Sequence, residues 1–472
     1  MGEKTKFHVD ISSIHKEVTG SCILNTIKFP DGSTKKVLVD CGMFQEKEYM
    51  NMNKTFPFIP EDLDHVIVTH NHMDHIGRLP LLVKQGYRGK IHMTNATSVL
   101  IKPALYDGLK VLQSRTEHIN KNEHTNEPLL YTSDDVAASI ELIQAHPFEK
   151  SEWLDKNIKM TLFMNGHLPG ACIILLQIYY TDLPKINLLF TGDYSNRNSF
   201  FDVSPLPNWV YDLPITIVQE STYGDTDSSQ VESVFCDNIQ KAVESKKQIV
   251  CPVFSLARSQ EIMLTIKQMQ DAGKISKSIP IFYDGKLGNT YNTLYGSGLL
   301  DLNDNAEHFT PSNFTVVENK QKRYSIIEEN NCKIILTTSG MGTYGPARDY
   351  LPAMLAKGNC LIHFTGYLAE DSMGRTIYEA EPGSVVSVMG LQVKKRAEVK
   401  YTSEFSSHAK ADELINFLRP FKDIKMVLIN HGEKSTKIAY SQKVVDEIDP
   451  KCTAILGEYL YRVSAYGYVK SI

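Results

Sequence analysis

The stretch Val66 to Gly77, VIVTHNHMDHIG, limits what this chain can be more than any other. Val66, Ile67, Val68 and Thr69 are apolar or β-branched and read as a buried strand; the next six positions carry three histidines and an aspartate. In extended chain, residues two apart project to one side, so the His70 and His72 imidazoles are placed to grip one ion. Asp74 and His75 follow as the chain turns away, where a neighbouring pair reaches toward a second ion. Zinc accepts imidazole and carboxylate at about 2.0–2.2 Å, and sites that do chemistry keep a position open for water. The alternative is a histidine-rich surface loop.

Other strands end in the same residue types. IKMTLFMNGHLPGACIILLQIYY reads as two strands flanking a glycine-rich corner that displays His167. KINLLFTGDYS ends in Asp193, DLPITIVQE in Glu220, and MVLIN is closed by His431, while His408 precedes the helical pattern KADELINFLRPF. Taken alone, a histidine in a corner or a TGD turn is more often structural, but an open αβ sheet binds its ligands at strand ends. Near the amino terminus, Pro30-Asp31-Gly32 between apolar runs marks a hairpin. Its second strand, KKVLVDCGMF, brings Asp40 beside the mouth of a site, where a carboxylate orients a metal-bound histidine or simply forms a turn.

At 472 residues the chain is long enough for two domains, or for one domain with a large insertion. GRLPLLVKQGY reads as a short helix ended by Gly86. The polar segment Gln113 to Pro128 reads as a solvated connector whose His118 and His124 are surface residues, and SDDVAASIELIQ as a helix opened by a Ser-Asp-Asp cap. From Asp225 the pattern becomes helix, strand, helix, strand, which predicts a small parallel sheet of its own. The expected organisation is a first domain begun by residues 1–224, an inserted domain over 225–375, and the first domain completed by 376–472.

A net charge of −5 does not mark a nucleic-acid binder, and it does not exclude one, since a groove can be locally basic and two bound dications offset most of the deficit. The eight cysteines, Cys452 among them, form no CxxC pair and read as reduced. That points to the cytoplasm. MGEKTKFHVDI has no apolar signal region, Lys6 breaks the myristoylation pattern, and no apolar run is long enough for a bilayer. The expectation is a soluble cytoplasmic protein with no membrane partner.

In order along the chain, VDCGMFQ, THNHMDHIGRLP, NGHLPGA, TGDYS, QESTYG, FSSHA and NHGE together resemble the metallo-β-lactamase fold with a β-CASP insertion. The likeness is to ribonucleases related to the 73 kDa subunit of the cleavage and polyadenylation specificity factor and its bacterial and archaeal relatives, and it runs from about Val18 to the carboxyl end. It implies an α/β protein, an αββα metallo-β-lactamase sandwich with an inserted β-CASP α/β domain. It also implies two Zn2+ per chain, one held by His70, His72, His167 and Asp193, the other by Asp74, His75, His431 and the shared Asp193. A carboxylate can bridge two ions, which a neutral imidazole cannot. Two ions about 3.5–4 Å apart clamp the attacking and leaving oxygens of a phosphodiester and bring water's pKa near 7, so a bridging hydroxide is the implied nucleophile.

Asp74, Glu220 and His408 are the expected catalytic residues. His408 is the candidate general acid for the leaving oxygen, with Glu220 orienting it and favouring its protonated form. Arg258 in SLAR, Ser339 in SGM, Arg375 in GYLAEDSMGR and Ser407 in FSSHA are candidate substrate contacts, because loops after strands offer backbone amides and hydroxyls to phosphates. Relatives carry Asp-Ser-Pro-Met-Ala where this chain has Asp284-Gly285-Lys286-Leu287-Gly288, and Gly-Gly-Arg where it has Tyr344-Gly345-Pro346-Ala347-Arg348. Both departures bear on substrate preference and not on the metal ligands.

The implied function is a zinc-dependent ribonuclease acting on single-stranded RNA, since a histidine at the last motif, here His431, resembles the RNA-cleaving members. The competing readings are a DNA nuclease, a small-phosphodiester hydrolase and a catalytically silent RNA-binding scaffold; a homodimer is compatible with all of them.

Overall fold

The computed structural model describes residues 6–369, 372–448, 453–457, 459–464 and 469–471, so Glu370 and Asp371 of GYLAEDSMGR and Cys452 lie outside the described residues. The chain divides into two units. Residues 1–198, 202–228 and 408–472 form the first, and residues 199–201 and 229–407 the second.

The first unit is two sheets face to face with helices outside. Gly32, at φ +88, closes the hairpin between Ile23–Lys28 and Thr34–Val39, and His8–Ser13 pairs antiparallel on its other side. From Thr34–Val39 the sheet continues in parallel through His65–Ile67, Lys90–Thr94 and Ile143–His146. The second sheet has seven strands, with Ile186–Phe190, Pro214–Gln219 and Asp423–Ile429 parallel at its centre. Alternating residues of each sheet meet between them: Val9, Ile27, Val39 and Ile67 from one, Ile174, Leu176, Leu188, Val218 and Leu428 from the other. Each is almost fully buried, worth about 1.5–3 kcal/mol per side chain. The outer face of the first sheet is covered by Leu79–Lys84, Asn95–Glu123 and Ser133–Glu141, that of the second by Ala411–Leu418 and Lys434–Glu447. This is the αββα sandwich.

Two local details differ from the sequence reading. Gln113 to Glu123 is not a connector but the last turns of the helix Asn95–Glu123. Five of its ten polar residues are good helix formers, the segment largely faces solvent, and the helix stops only where His124 turns left-handed at φ 53. The next helix is capped one residue earlier than Ser133: Thr132 and Asp135 form a reciprocal capping box, with the Thr132 N–H donating to Asp135 Oδ2 at 2.8 Å.

The second unit holds an all-parallel six-stranded sheet, ordered Phe314–Val316, Ile281–Asp284, Lys333–Thr337, Gln248–Pro252, Cys360–Phe364, Glu398–Tyr401. Its last strand lies downstream of Arg375, pairing Leu361 with Glu398 and Phe364 with Tyr401. Among the described residues the cysteines are free, and no helix is long and apolar enough to cross a membrane.

Candidate metal centre

Strand ends and the loops after them build the site. The strand His65–Ile67 runs parallel to Thr34–Val39, and the Asp40 N–H donates to the Ile67 carbonyl at 2.9 Å, so Asp40 arrives level with Thr69. Asp40 adopts φ 61 and accepts the Thr69 N–H at 2.8 Å. The one-turn helix Met73–Ile76 then swings His75 back under the strand end. This fold-back needs Gly42, because a Cβ there would lie 1.5 Å from the Asp74 carbonyl oxygen. From the other sheet, Asn165 ties two loops together. Its Nδ2 donates to the carbonyls of Thr191 and Asp193 at 3.0 Å each, and its Oδ1 accepts the His167 N–H at 2.9 Å.

The result is two groups of converging donor atoms that share one carboxylate. His72 Nδ1 lies 3.1 Å from both His70 Nε2 and His167 Nε2, and Asp193 Oδ2 lies 3.5 and 3.7 Å from those two nitrogens. In the second group, Asp193 Oδ1 lies 3.2 Å from His75 Nε2 and 3.4 Å from His431 Nε2, and Asp74 Oδ2 lies 3.8 and 3.6 Å from the same atoms. Four ligands about 2.0–2.1 Å from a tetrahedral ion stand roughly 3.3 Å from one another, close to these spacings. His75 Nε2, His431 Nε2 and Asp193 Oδ1 are buried without a hydrogen bond. Leaving such atoms unsatisfied costs about 1–3 kcal/mol each, a cost that ligation of a cation removes. The donor set therefore fits a divalent metal.

The far side of three of these rings is also held. His75 Nδ1 meets Asp40 Oδ2 at 2.7 Å, His70 Nδ1 meets Thr69 Oγ1 at 3.0 Å, and His431 Nδ1 meets Thr222 Oγ1 at 2.9 Å. Thr69, Thr222 and Asn165 were not singled out from the sequence. The only signals were a hydroxyl just before His70, another two residues after Glu220, and an amide two residues before His167.

Charges in the cluster follow from burial and proximity. Burial alone would raise the Asp193 carboxyl, but His431, His75 and His70 together hold it well below the usual carboxylate range. Asp74, likewise opposed by burial, is brought to about 2 by His431 and His75. Burial pushes His70 well below 6.5 and His72 to about 4, leaving neutral rings with lone pairs to give. His75 is raised against burial by Asp193 and Asp40, so this spot favours positive charge.

Glu220 and His408 form a separate pair beside the cluster. His408 Nδ1 lies 3.0 and 2.9 Å from the two Glu220 oxygens, and its Nε2 lies 3.9 Å from Asp193 Oδ2. The ring packs edge-on against His167 with centroids 4.6 Å apart. Glu220 is 2 % exposed and also accepts the Tyr194 N–H and the Thr222 hydroxyl. Seven candidate ligands and this pair thus come together within the first unit, with Asp40 behind His75.

All four candidate substrate contacts lie in the second unit, Ser407 as its last residue. Arg258 is buried; its guanidinium donates to the Thr365 carbonyl and packs over Phe254. Ser339 Oγ accepts the Tyr344 N–H at 3.1 Å, and Arg375 pairs with Glu379 on an exposed helix face. Ser407 is partly exposed.

Residues 25–230 match the Metallo-beta-lactamase superfamily, 259–377 the Beta-Casp domain, and 392–453 the Zn-dependent metallo-hydrolase RNA specificity domain. The chain is 29% identical to Ribonuclease TTHA0252 of Thermus thermophilus over 90% of its length and 93% of that protein. It is 26% identical to Cleavage and polyadenylation specificity factor 73 of Drosophila melanogaster, covering 89% of this chain and 59% of that one. It is 29% identical to Transcription termination factor FttA of Methanocaldococcus jannaschii, over 91% and 67% respectively. With three successive domains matched, and with the donor cluster in the first of the two units, the chain belongs to the β-CASP group of the metallo-β-lactamase superfamily, a family of metal-dependent hydrolases.

Proposed function

We propose that this protein is a ribonuclease that hydrolyses RNA phosphodiester bonds with two zinc ions, one for each donor group. The observation that carries this reading is the pair of donor groups meeting at Asp193 with the Glu220–His408 pair alongside. Imidazole and carboxylate donors at tetrahedral spacing suit zinc. The similarity to the Thermus ribonuclease along almost its whole length, together with the match to an RNA specificity domain, supports RNA as the substrate.

When bound, two such ions supply Lewis acidity toward the phosphate and lower the pKa of water to about 7. The chain's own residues do the rest. Asp193 offers one oxygen to each group, and Asp74, His75 and His431 complete the second. Asp40 fixes the His75 ring through Nδ1, which leaves Nε2 facing the cluster. His408 is tied to Glu220 through Nδ1, so its Nε2 is the atom that gives a proton to the leaving oxygen. The pair is held rigidly, because Glu220 is fixed by Tyr194 and Thr222. Ser339, Arg375 and Ser407 remain proposed substrate contacts, whereas the buried Arg258, expected to be one, acts only through the loop at Thr365 that it braces.

The test compares wild-type protein and His408→Ala on labelled single-stranded RNA and DNA of matched sequence, with zinc measured in both proteins. The variant should cleave RNA about 10²- to 10⁴-fold more slowly with its zinc content unchanged. DNA cleaved as well as RNA by the wild type, or zinc lost from the variant, would sink the assignment.

A further inference from the structure

We propose that Thr222 is a positioning residue whose hydroxyl fixes His431 for cation binding and joins that ligand to the Glu220–His408 pair. This rests on the two-cation reading above. Thr222 Oγ1 lies 2.6 Å from Glu220 Oε2 and 2.9 Å from His431 Nδ1. A hydroxyl has one proton, and the short contact to a carboxylate uses it. The oxygen's lone pair is then left for His431, which must present Nδ1–H. An imidazole protonated at Nδ1 carries its lone pair on Nε2. That is the buried nitrogen with no hydrogen bond, 3.4 Å from Asp193 Oδ1 and 3.6 Å from Asp74 Oδ2.

The backbone brings these groups together without help from the hydroxyl. Pro214–Gln219 and Asp423–Ile429 are parallel, with Gln219 level with Ile429, so the two loops leave the sheet side by side. The Ser221 N–H donates to the His431 carbonyl at 2.9 Å, and Ser221 Oγ donates to the Asn430 carbonyl at 3.0 Å. Removing the Thr222 hydroxyl therefore frees the His431 ring while its backbone stays placed. The molecule uses the same device elsewhere: Thr69 Oγ1 stands between His70 Nδ1 at 3.0 Å and Asp40 Oδ2 at 2.9 Å. Thr222 differs in where its carboxylate leads. Glu220 also receives His408 Nδ1 at 2.9 Å, so a single hydroxyl ties a candidate ligand to the candidate proton donor.

Zinc titration of the full chain against a chromophoric chelator tests this with wild type, Thr222→Val and Thr222→Ser. Wild type should bind two ions. Thr222→Val should keep one at wild-type affinity and bind the other about 10- to 100-fold more weakly, and Thr222→Ser should recover to within about threefold. To separate this role from any unfolding of the loop by valine, nitrogen NMR of zinc-loaded wild type gives an independent readout, in which His431 should carry its proton on Nδ1. Unchanged affinities in Thr222→Val, a serine variant as weak as the valine one, or a His431 proton on Nε2 would overturn the role of Thr222 alone. A wild type that binds fewer than two ions would overturn the two-cation reading and this inference with it.

Discussion

His70, His72, His75, His167 and His431 turn ring nitrogens toward two points, whereas His65, His92 and His146 pass theirs in a line from strand to strand. Both groups belong to the first unit. In the line, His65 Nδ1 meets His92 Nε2 at 3.2 Å, His92 Nδ1 meets His146 Nε2 at 2.9 Å, and His146 Nδ1 meets Glu152 Oε2 at 2.8 Å. The carboxylate at one end sets the direction: His146 donates to Glu152, so His92 donates to His146 and His65 to His92. Both nitrogens of His92 and of His146 are thereby spent on neighbours. In the converging group, His75 Nε2 and His431 Nε2 face Asp193 with no such partner. A cation site is marked by unspent lone pairs that meet, and a count of buried histidines does not distinguish the two.

The largest expected effect breaks the convergence at its shared atom pair. Asp193→Ala removes an oxygen from each donor group, so bound zinc should fall and the proposed RNA cleavage should drop by at least about 10³-fold. His92→Gln, in the linear group, should leave zinc content and cleavage within about threefold of wild type. Metal analysis and a cleavage assay on the two variants decide it, and equal losses would erase the distinction. A smaller effect tests the support behind one ring. Asp40→Asn removes the charge that holds His75 Nδ1, and zinc should bind about 10- to 100-fold more weakly while the fold persists. Chelator competition measures this; unchanged affinity would mean that the Asp40 contact only shapes a turn.

The donor residues of the converging group stand out in the sequence because each lies at the end of an apolar strand or in the turn that follows it, while their division into two groups of ligands came only from the family resemblance. Which nitrogen each ring presents could not be read. His72 turns Nδ1 inward while His70 and His167 turn Nε2, and that choice depends on what holds the other side of the ring. Thr69 and Thr222 were hidden for the same reason, since a threonine beside a strand end ordinarily signals β-propensity. The histidine line was invisible as well: KIHMT and IQAHP are ordinary strand sequences whose side chains meet only through sheet pairing. The strand Glu398–Tyr401 is short and alternating, a pattern that fits an edge position in either unit, so only its pairing with Cys360–Phe364 attaches it to the second.

The smallest effect concerns pH and sharpens the contrast from the linear side. Burial pushes His92 down to about 3, and the neighbouring His65 and His146 act in the same direction. A second proton on His92 would have to sit on Nε2, where the His65 N–H already donates, so protonation breaks a link of the line. The unfolded chain titrates near 6.5 and binds more protons than the folded one between about 3 and 6.5. Stability from this residue is therefore complete above pH ~6.5 and is lost as pH falls toward 3. Between pH 7 and pH 5 the loss should be about 2 kcal/mol. Chemical denaturation of wild type and His92→Gln at both pH values isolates it, because glutamine does not titrate. Wild type should lose about 2 kcal/mol more than the variant over that interval. An equal loss in both proteins would mean that His92 accepts its second proton in place, and that the line tolerates charge as the converging group does.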